Sequence, residues 1–333
     1  MTAVKGIDVI RAAHVEFLVT DLERSRSWYV DLLGFHVTQE EPGVLYLRGV
    51  EERCHHSLVL RQAPEPAVSH ISFRVAGEQD LEALEQLCEA QGLPCRRVTP
   101  GEEAGQGAAL RMQDPNGIPL EFYAQMDWVE SLMQAFHRHR GPGIQRLDHI
   151  NCGVSNVQQA YDWYTENLGF RCSEYTITDE TTNRLWAAWL HRKPNVHDLA
   201  LMNCRGPMLH HVGFWVENPL CLLKACDILA AAGWSHSIER GPGRHGLSNA
   251  MFLYLRDPDG HRVELYTGDY LTADPDLPPI RWLVSDKQRQ TFWGHAAPVS
   301  WFEELSPLLD IRSGQKVPVS EPLLTERPQM AIY

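Results

Sequence analysis

The sequence has no Cys-x-x-Cys pair, no apolar run long enough to span a bilayer and no surplus of positive charge. Each absence removes a class of function. Eight cysteines stand singly at 54, 88, 95, 152, 172, 204, 221 and 226, so a cysteine zinc site has little support and the thiols read as reduced. The opening residues, MTAVKGIDVIRAAHVEF, lack the uninterrupted apolar segment of a secretory signal or membrane anchor, and the expected location is the cytoplasm. With 30 basic against 43 acidic side chains the formal net charge is −13. Nucleic acid and anionic membranes are therefore disfavoured as partners, because both repel a surface dominated by carboxylates. Small molecules remain.

A chain of 333 residues with 44% hydrophobic and 22% charged residues is long enough for two domains or one pseudo-symmetric pair. The pair is written in the sequence. His14-Val-Glu-Phe-Leu-Val-Thr20 reads as a strand, and Asp21 to Leu33 as a helix with capping-box spacing at Thr20 and Glu23 and a left-handed stop at Gly34. A shift of 135 residues lays His14, Trp28-Tyr29 and Leu33-Gly34-Phe35 on His149, Trp163-Tyr164 and Leu168-Gly169-Phe170. At a shift of 141, His56 and His70 fall on His197 and His211, and at 143 Asp114 to Tyr123 falls on Asp257 to Tyr266. The chain is a duplication. Helices near Asp80 to Gln91 and Pro219 to Ala232, ended by Gly92 and Gly233, divide each half again and suggest βαβββ units.

Three residues of the second half suggest chemistry. Leu209 to Phe214 and Asp257 to Tyr266 alternate as half-buried strands do, the second after a Pro-Asp-Gly turn, and each offers a ligand: His211 and Glu264. A third, His149, lies in Leu147-Asp148-His149-Ile150-Asn151. His210 and His211 face opposite ways on a strand, and the repeat selects His211, whose counterpart is His70. Two imidazoles and one carboxylate on rigid strands hold a divalent metal by one face and leave the other open, as non-haem iron oxygenases do.

In these contexts the sequence resembles the type I extradiol ring-cleaving dioxygenases of the vicinal oxygen chelate superfamily, with its nearest likeness to the homoprotocatechuate (3,4-dihydroxyphenylacetate) 2,3-dioxygenases. The specific stretches are Trp189-Leu-His-Arg-Lys with Val196-His197-Asp198, Ile238 to Gly246 with Ser248-Asn249, and Tyr254 leading into Asp257 to Glu264. The resemblance implies an α+β fold of tandem duplicated domains of paired βαβββ modules, Fe(II) or Mn(II) on His149, His211 and Glu264, a catechol and O2 as substrates, and a homotetramer. It places His197 beside the oxygen-binding position as the proton-handling group, which suits an imidazole that titrates near neutral pH. Asn151 and Tyr254 are expected to donate hydrogen bonds to the reacting species, and His245 to act both there and on the substrate. Arg240, in a Gly-Pro-Gly loop, is expected to reach the substrate tail, with Trp189 walling the ring pocket. In the family, paired arginines of the C-terminal segment help hold a substrate carboxylate; here the dipeptide is Arg289-Gln290. One of the two charges that would favour an acidic side chain is thus absent.

The expected domains are residues 1–138, non-catalytic; 139–270, catalytic; and 271–333, a wrapping or lid segment whose Trp282, Phe292, Trp293 and Trp301 need burial. The first half carries His14, His70 and Glu121 and also His56, but Glu16, Arg111 and Arg48 stand where the second half has Asn151, Tyr254 and Trp189. It reads as a scaffold with remnant ligands, and a second metal there stays open. Rival readings are a catechol 2,3-dioxygenase for neutral or alkylated catechols, a glyoxalase-like isomerase, which would want a fourth protein ligand, and a drug-binding protein, for which the triad would be idle.

Overall fold

The computed structural model describes residues 6–328. The first half forms an eight-stranded sheet from β1 (Val9–Val19), β2 (His36–Glu41), β3 (Val44–Arg48), β4 (Leu58–Gln62), β5 (Ala67–Val75), β6 (Cys95–Val98), β7 (Ala109–Gln113) and β8 (Pro119–Tyr123). Its spatial order is β2-β3-β4-β1-β5-β8-β7-β6. The second half repeats it with β9 (Ile144–Val154), β10 (Arg171–Ile177), β11 (Leu185–His191), β12 (Leu199–Asn203), β13 (Met208–Val216), β14 (Ile238–Arg244), β15 (Met251–Arg256) and β16 (Arg262–Thr267). In each half the first strand pairs parallel with the fourth and antiparallel with the fifth, and the fifth pairs parallel with the eighth. Two βαβββ units thus meet edge to edge in each sheet.

The helices obey local chemistry. The helix α1 (Leu22–Arg26) widens into a π-turn over Ser27–Leu32, and α2 (Glu78–Gln91), α3 (Val157–Leu168) and α4 (Pro219–Ala231) follow. Asn156 caps α3 by accepting from the Gln159 amide at 3.1 Å, and Gly169 closes it at φ +65°. The first helix corrects the expected capping box. Asp21, one residue later than Thr20, caps it by accepting from Arg24 at 2.9 Å, and the Thr20 hydroxyl donates instead to Asp259 at 2.5 Å. A carboxylate is the stronger acceptor for a helix N-terminus, and the freed hydroxyl serves a tertiary contact.

That contact is one of many joining the halves. Trp28 and Tyr29 are fully buried, and Trp28 Nε1 donates to Ser237 Oγ at 3.1 Å. In the counterpart, Trp163 Nε1 donates to Gln91 Oε1 at 2.9 Å. Phe35 packs edge-on against Phe214 and Phe170 against Phe73, again a reciprocal pair. The halves share one continuous apolar core.

The C-terminal segment is built into both sheets' surroundings. Its β17 (Ile280–Leu283) extends the second sheet beside β10, and β18 (Ser306–Pro307) pairs with β13. Farther on, Leu309 donates to the Val68 carbonyl at 3.1 Å, so the segment also clasps the first half. Between these lie the short helices α5 (Lys287–Gln290) and α6 (Ser300–Glu303).

Candidate metal centre and its cavity

His149 on β9, His211 on β13 and Glu264 on β16 stand on three adjacent strands. Gly213 pairs with His149 on one side and with Glu264 on the other, which sets these two side chains level, and His211 lies two residues earlier on the same face. A Cβ at Gly213 would sit 2.2 Å from His149 Cε1. The missing side chain is the space the imidazole occupies.

The three ligand atoms converge. Nε2 of His149 lies 3.2 Å from Nε2 of His211 and 2.8 Å from Glu264 Oε2, and His211 Nε2 is 3.1 Å from the same oxygen. Bonds of about 2.1 Å in an octahedron put adjacent ligands about 3.0 Å apart, so the set fits one face of a six-coordinate divalent ion. The outer nitrogens fix the ring orientations. His149 Nδ1 is 2.9 Å from Asp148 Oδ2, a pure acceptor, and so carries a hydrogen. His210 Nε2 donates to the Trp301 carbonyl at 3.0 Å, which leaves its Nδ1 to accept from His211 Nδ1 at 2.6 Å. In the neutral rings both Nε2 lone pairs therefore face the same point, beside Glu264, whose Oε1 is buried without a hydrogen-bond partner among the described residues. The donors fit a hard-to-borderline cation such as Fe(II) or Mn(II).

Burial disfavours charge on every ring here. It holds the His211 pKa down to about 4. At His149 burial pulls the same way, but the bonds to Asp148 and Glu264 outweigh it and lift the pKa to about 9. A cation binding to this trio displaces that proton.

A cavity opens on the free side of the trio. His197 lines it, its ring 4.0 Å from that of His149, and burial first, then His149, holds it well below the ordinary imidazole pKa. Its Nδ1 has no partner among the described residues, and neither has Asn151 Oδ1. Tyr254 lies 2.9 Å from His245 Nε2. Because His245 Nδ1 donates to the Gln290 carbonyl, its Nε2 accepts, and the Tyr254 proton is committed to His245. Trp189 and Arg289 also line the cavity. Arg289 is 2% exposed, donates to Thr176 Oγ1 at 3.2 Å and stays a cation at neutral pH although burial lowers its pKa to about 10.

Arg240 is placed differently from its expectation. The segment taken for a loop is the edge strand β14, because Arg240 and Gly243 register against Tyr254 and Phe252. Arg240 does not line the cavity. It is sandwiched 4.6 Å from both the Phe252 and Trp301 rings and donates to Thr291 Oγ1 at 2.6 Å, bracing the wall behind Tyr254. Sequence reasoning missed Trp186, Tyr266 and the role of Trp301, which line the cavity. Period-two alternation with Trp189 gave no separate signal for Trp186, three residues away; the register of β11 against β10 skips Trp186, a bulge that turns it to the cavity side, where Arg289 lies 5.3 Å over its ring.

Comparison with known proteins gives the same answer twice over. The profile of the Glyoxalase/Bleomycin resistance protein/Dioxygenase superfamily matches residues 11–122 and again 146–265. The chain is 31% identical to the manganese-dependent 2,3-dihydroxybiphenyl 1,2-dioxygenase of Geobacillus genomosp. 3 over 86% of this chain and 94% of that one. It is 32% identical to the metapyrocatechase of Pseudomonas sp. (strain CF600), with the same shares covered. Among solved structures, homoprotocatechuate 2,3-dioxygenase of Brevibacterium fuscum, in complex with 3,4-dihydroxyphenylacetate, superposes with a TM-score of 0.92 at 42% identity, covering 96% of this chain and 98% of that one.

Proposed function

This chain belongs to the Glyoxalase/Bleomycin resistance protein/Dioxygenase superfamily, and from that membership and the cavity geometry we propose that it cleaves 3,4-dihydroxyphenylacetate beside its diol, inserting both atoms of O2. The protein is an extradiol ring-cleaving dioxygenase, an oxidoreductase, and its metal is Fe(II) or Mn(II). The observation that carries the reading is the one-sided trio of His149, His211 and Glu264 facing an aromatic-walled cavity. When bound there, the metal acidifies the diol and couples the electron-rich ring to dioxygen.

The chain's own residues do the rest. Trp186 and Trp189 form the apolar walls that hold the ring flat and keep bulk water out. His197, held neutral by burial, accepts a diol proton and later returns it to an oxygen of the opening ring. Asn151 offers an amide to the oxygen side of the cavity, and the Tyr254–His245 pair fixes the opposite wall. Arg289 supplies a buried cation for the substrate carboxylate. Arg240 belongs to this reading as the positioning residue behind Tyr254 and Trp301.

Residues 139–270 act as the catalytic domain, 1–138 as a scaffold and 271–333 as the wrap that brings Arg289 and Trp301 to the cavity. We place the enzyme in the cytoplasm as a homotetramer. The free cysteines suit a reducing compartment, no helix among the described residues is long and apolar enough to cross a membrane, and exposed Trp128 and Phe136 suit burial between subunits.

Gln290 on the cavity wall supports a second reading, a catechol 2,3-dioxygenase for neutral or alkylated catechols. Oxygen uptake and the yellow semialdehyde, followed after anaerobic Fe(II) or Mn(II) loading, test both. A higher kcat/KM for 3,4-dihydroxyphenylacetate than for 4-methylcatechol supports the first, and the reverse order the second. Absence of catechol-dependent oxygen uptake in metal-loaded protein would sink both.

A further inference from the structure

The first half contains a second cluster of ligand atoms, and it differs in kind from the one above. His14 on β1, His70 on β5 and Glu121 on β8 repeat the strand positions of the second-half trio, and Glu103, from the turn between β6 and β7, closes over them. Nε2 of His14 lies 3.2 Å from Nε2 of His70 and 3.2 Å from Glu121 Oε1. His70 Nε2 is 3.6 Å from the same oxygen. The Glu103 oxygens stand 3.8 Å from His14 Nε2 and 3.7 Å from His70 Nε2.

The His–His separation is 3.2 Å in both halves, and the His–Glu separations are wider here, 3.2 and 3.6 Å against 2.8 and 3.1 Å. Bonds of about 2.0–2.1 Å in a tetrahedron put ligands about 3.4 Å apart, against about 3.0 Å for neighbours in an octahedron. Three donors 3.2–3.6 Å apart, with Glu103 over them as a fourth, make a closed site. Access agrees: His14, His70 and Glu121 are 0% exposed and Glu103 2%.

The charges around the cluster are left unbalanced by protein alone. Two buried carboxylates face three imidazoles, His14, His70 and His56. Among the described residues the one fixed cation touching them, Arg111, bonds Glu121 Oε2 at 2.7 Å and also Glu103 Oε1. Gln106 donates to Glu121 Oε1 at 3.0 Å and Ser72 lies 3.4 Å from it, which orients that carboxylate. Glu103 Oε2 and His56 Nε2 have no hydrogen-bond partner among the described residues and face each other at 4.0 Å. Glu103 Oε2 stands 3.8 Å from His14 Nε2, beyond hydrogen-bond range. An unpaired carboxylate oxygen at this depth is costly, and a divalent ion removes the cost by taking all four donors at once.

We propose that His14, His70, Glu103 and Glu121 bind a second, structural divalent cation of the Zn(II) type, which ties the turn between β6 and β7 to strands β1, β5 and β8. It has no open coordination position and no substrate path, so it takes no part in ring cleavage. Arg111 stands where the second half has Tyr254. Its nitrogens hold the outer carboxylate oxygens, a supporting role for the ligands.

Elemental analysis of the full-length protein, loaded anaerobically with Zn(II) and freed of loose metal, decides the matter. Two atoms per chain are expected in the wild type, and one in Glu103→Gln. One atom per chain in the saturated wild type overturns the proposal, and so do two retained in Glu103→Gln. The folding of the variant is checked by Fe(II)-dependent oxygen uptake, and the wild-type count stands by itself if the variant does not fold. A failed extradiol reading would show as absent oxygen uptake and would leave this count unaffected.

Discussion

Tyr29 donates its phenol to Asp257 Oδ2 at 3.0 Å, and Tyr164 makes the counterpart bond to Asp114 Oδ2, also at 3.0 Å. Each bond crosses from one half to the turn before the eighth strand of the other, the strand that carries Glu264 or Glu121. Burial drives the Asp114 pKa up to about 6, so each phenol holds a carboxylate that the interior disfavours. Removing either hydroxyl leaves a buried acceptor short of a partner. Tyr29→Phe and Tyr164→Phe are each expected to cost about 1–3 kcal/mol, additively because the sites are separate, in chemical denaturation. Two resolved transitions in the wild type would mean that the halves fold independently and that these bonds do not couple them.

Gly213→Ala should disable the centre without altering any ligand. The added Cβ would meet the His149 ring at 2.2 Å. Moving that ring costs about 1–3 kcal/mol of stability and misplaces one Nε2. The expected result is at least about a tenfold weaker retention of Fe(II) or Mn(II), measured by metal content after dialysis. Unchanged metal content with unchanged Tm would show that the backbone gives way instead.

His197→Gln keeps a polar group at the site but cannot shuttle a proton. A fall of about 10²–10⁴ in kcat is expected, with KM for the catechol changed little, because the ring contributes to proton transfer and not to holding the diol. A loss confined to KM would assign His197 to binding.

Arg289→Met tests the carboxylate contact. It should lower kcat/KM for 3,4-dihydroxyphenylacetate by about 1.5–3 kcal/mol, or tenfold to a hundredfold, and leave 4-methylcatechol nearly unaffected. Equal losses on both substrates would mean that Arg289 merely supports the wall through Trp186.

Glu239 gives a stability prediction with a defined pH window. Burial alone would raise its pKa, but Arg262 and Arg256, with Ser300, overcome it and bring the pKa down to about 2. A depressed folded-state pKa contributes stability above the unfolded value near 4.5 that is lost as pH falls toward 2. Glu239→Gln is therefore expected to cost about 3 kcal/mol at neutral pH, with the difference from wild type closing between these two pH values. A difference that is constant with pH would point to packing and not charge.

Period-two alternation, the glycine helix stops and the repeated His and Glu positions were enough to read the duplication, the βαβββ units and the trio His149, His211 and Glu264 from the sequence alone. These are local signals: a strand's alternation decides which face a residue occupies, and a repeat carries that face to its counterpart. The capping shift to Asp21, the withdrawal of Arg240 behind Tyr254, and the arrival of Arg289 and Trp301 from the C-terminal segment depend on contacts between residues distant in sequence, and no local period encodes them. Glu103 is the clearest case. As one of two adjacent acids in a Gly-rich turn it has no distinguishing pattern, and only the folding of that turn over His14, His70 and Glu121 brings its carboxylate into their company.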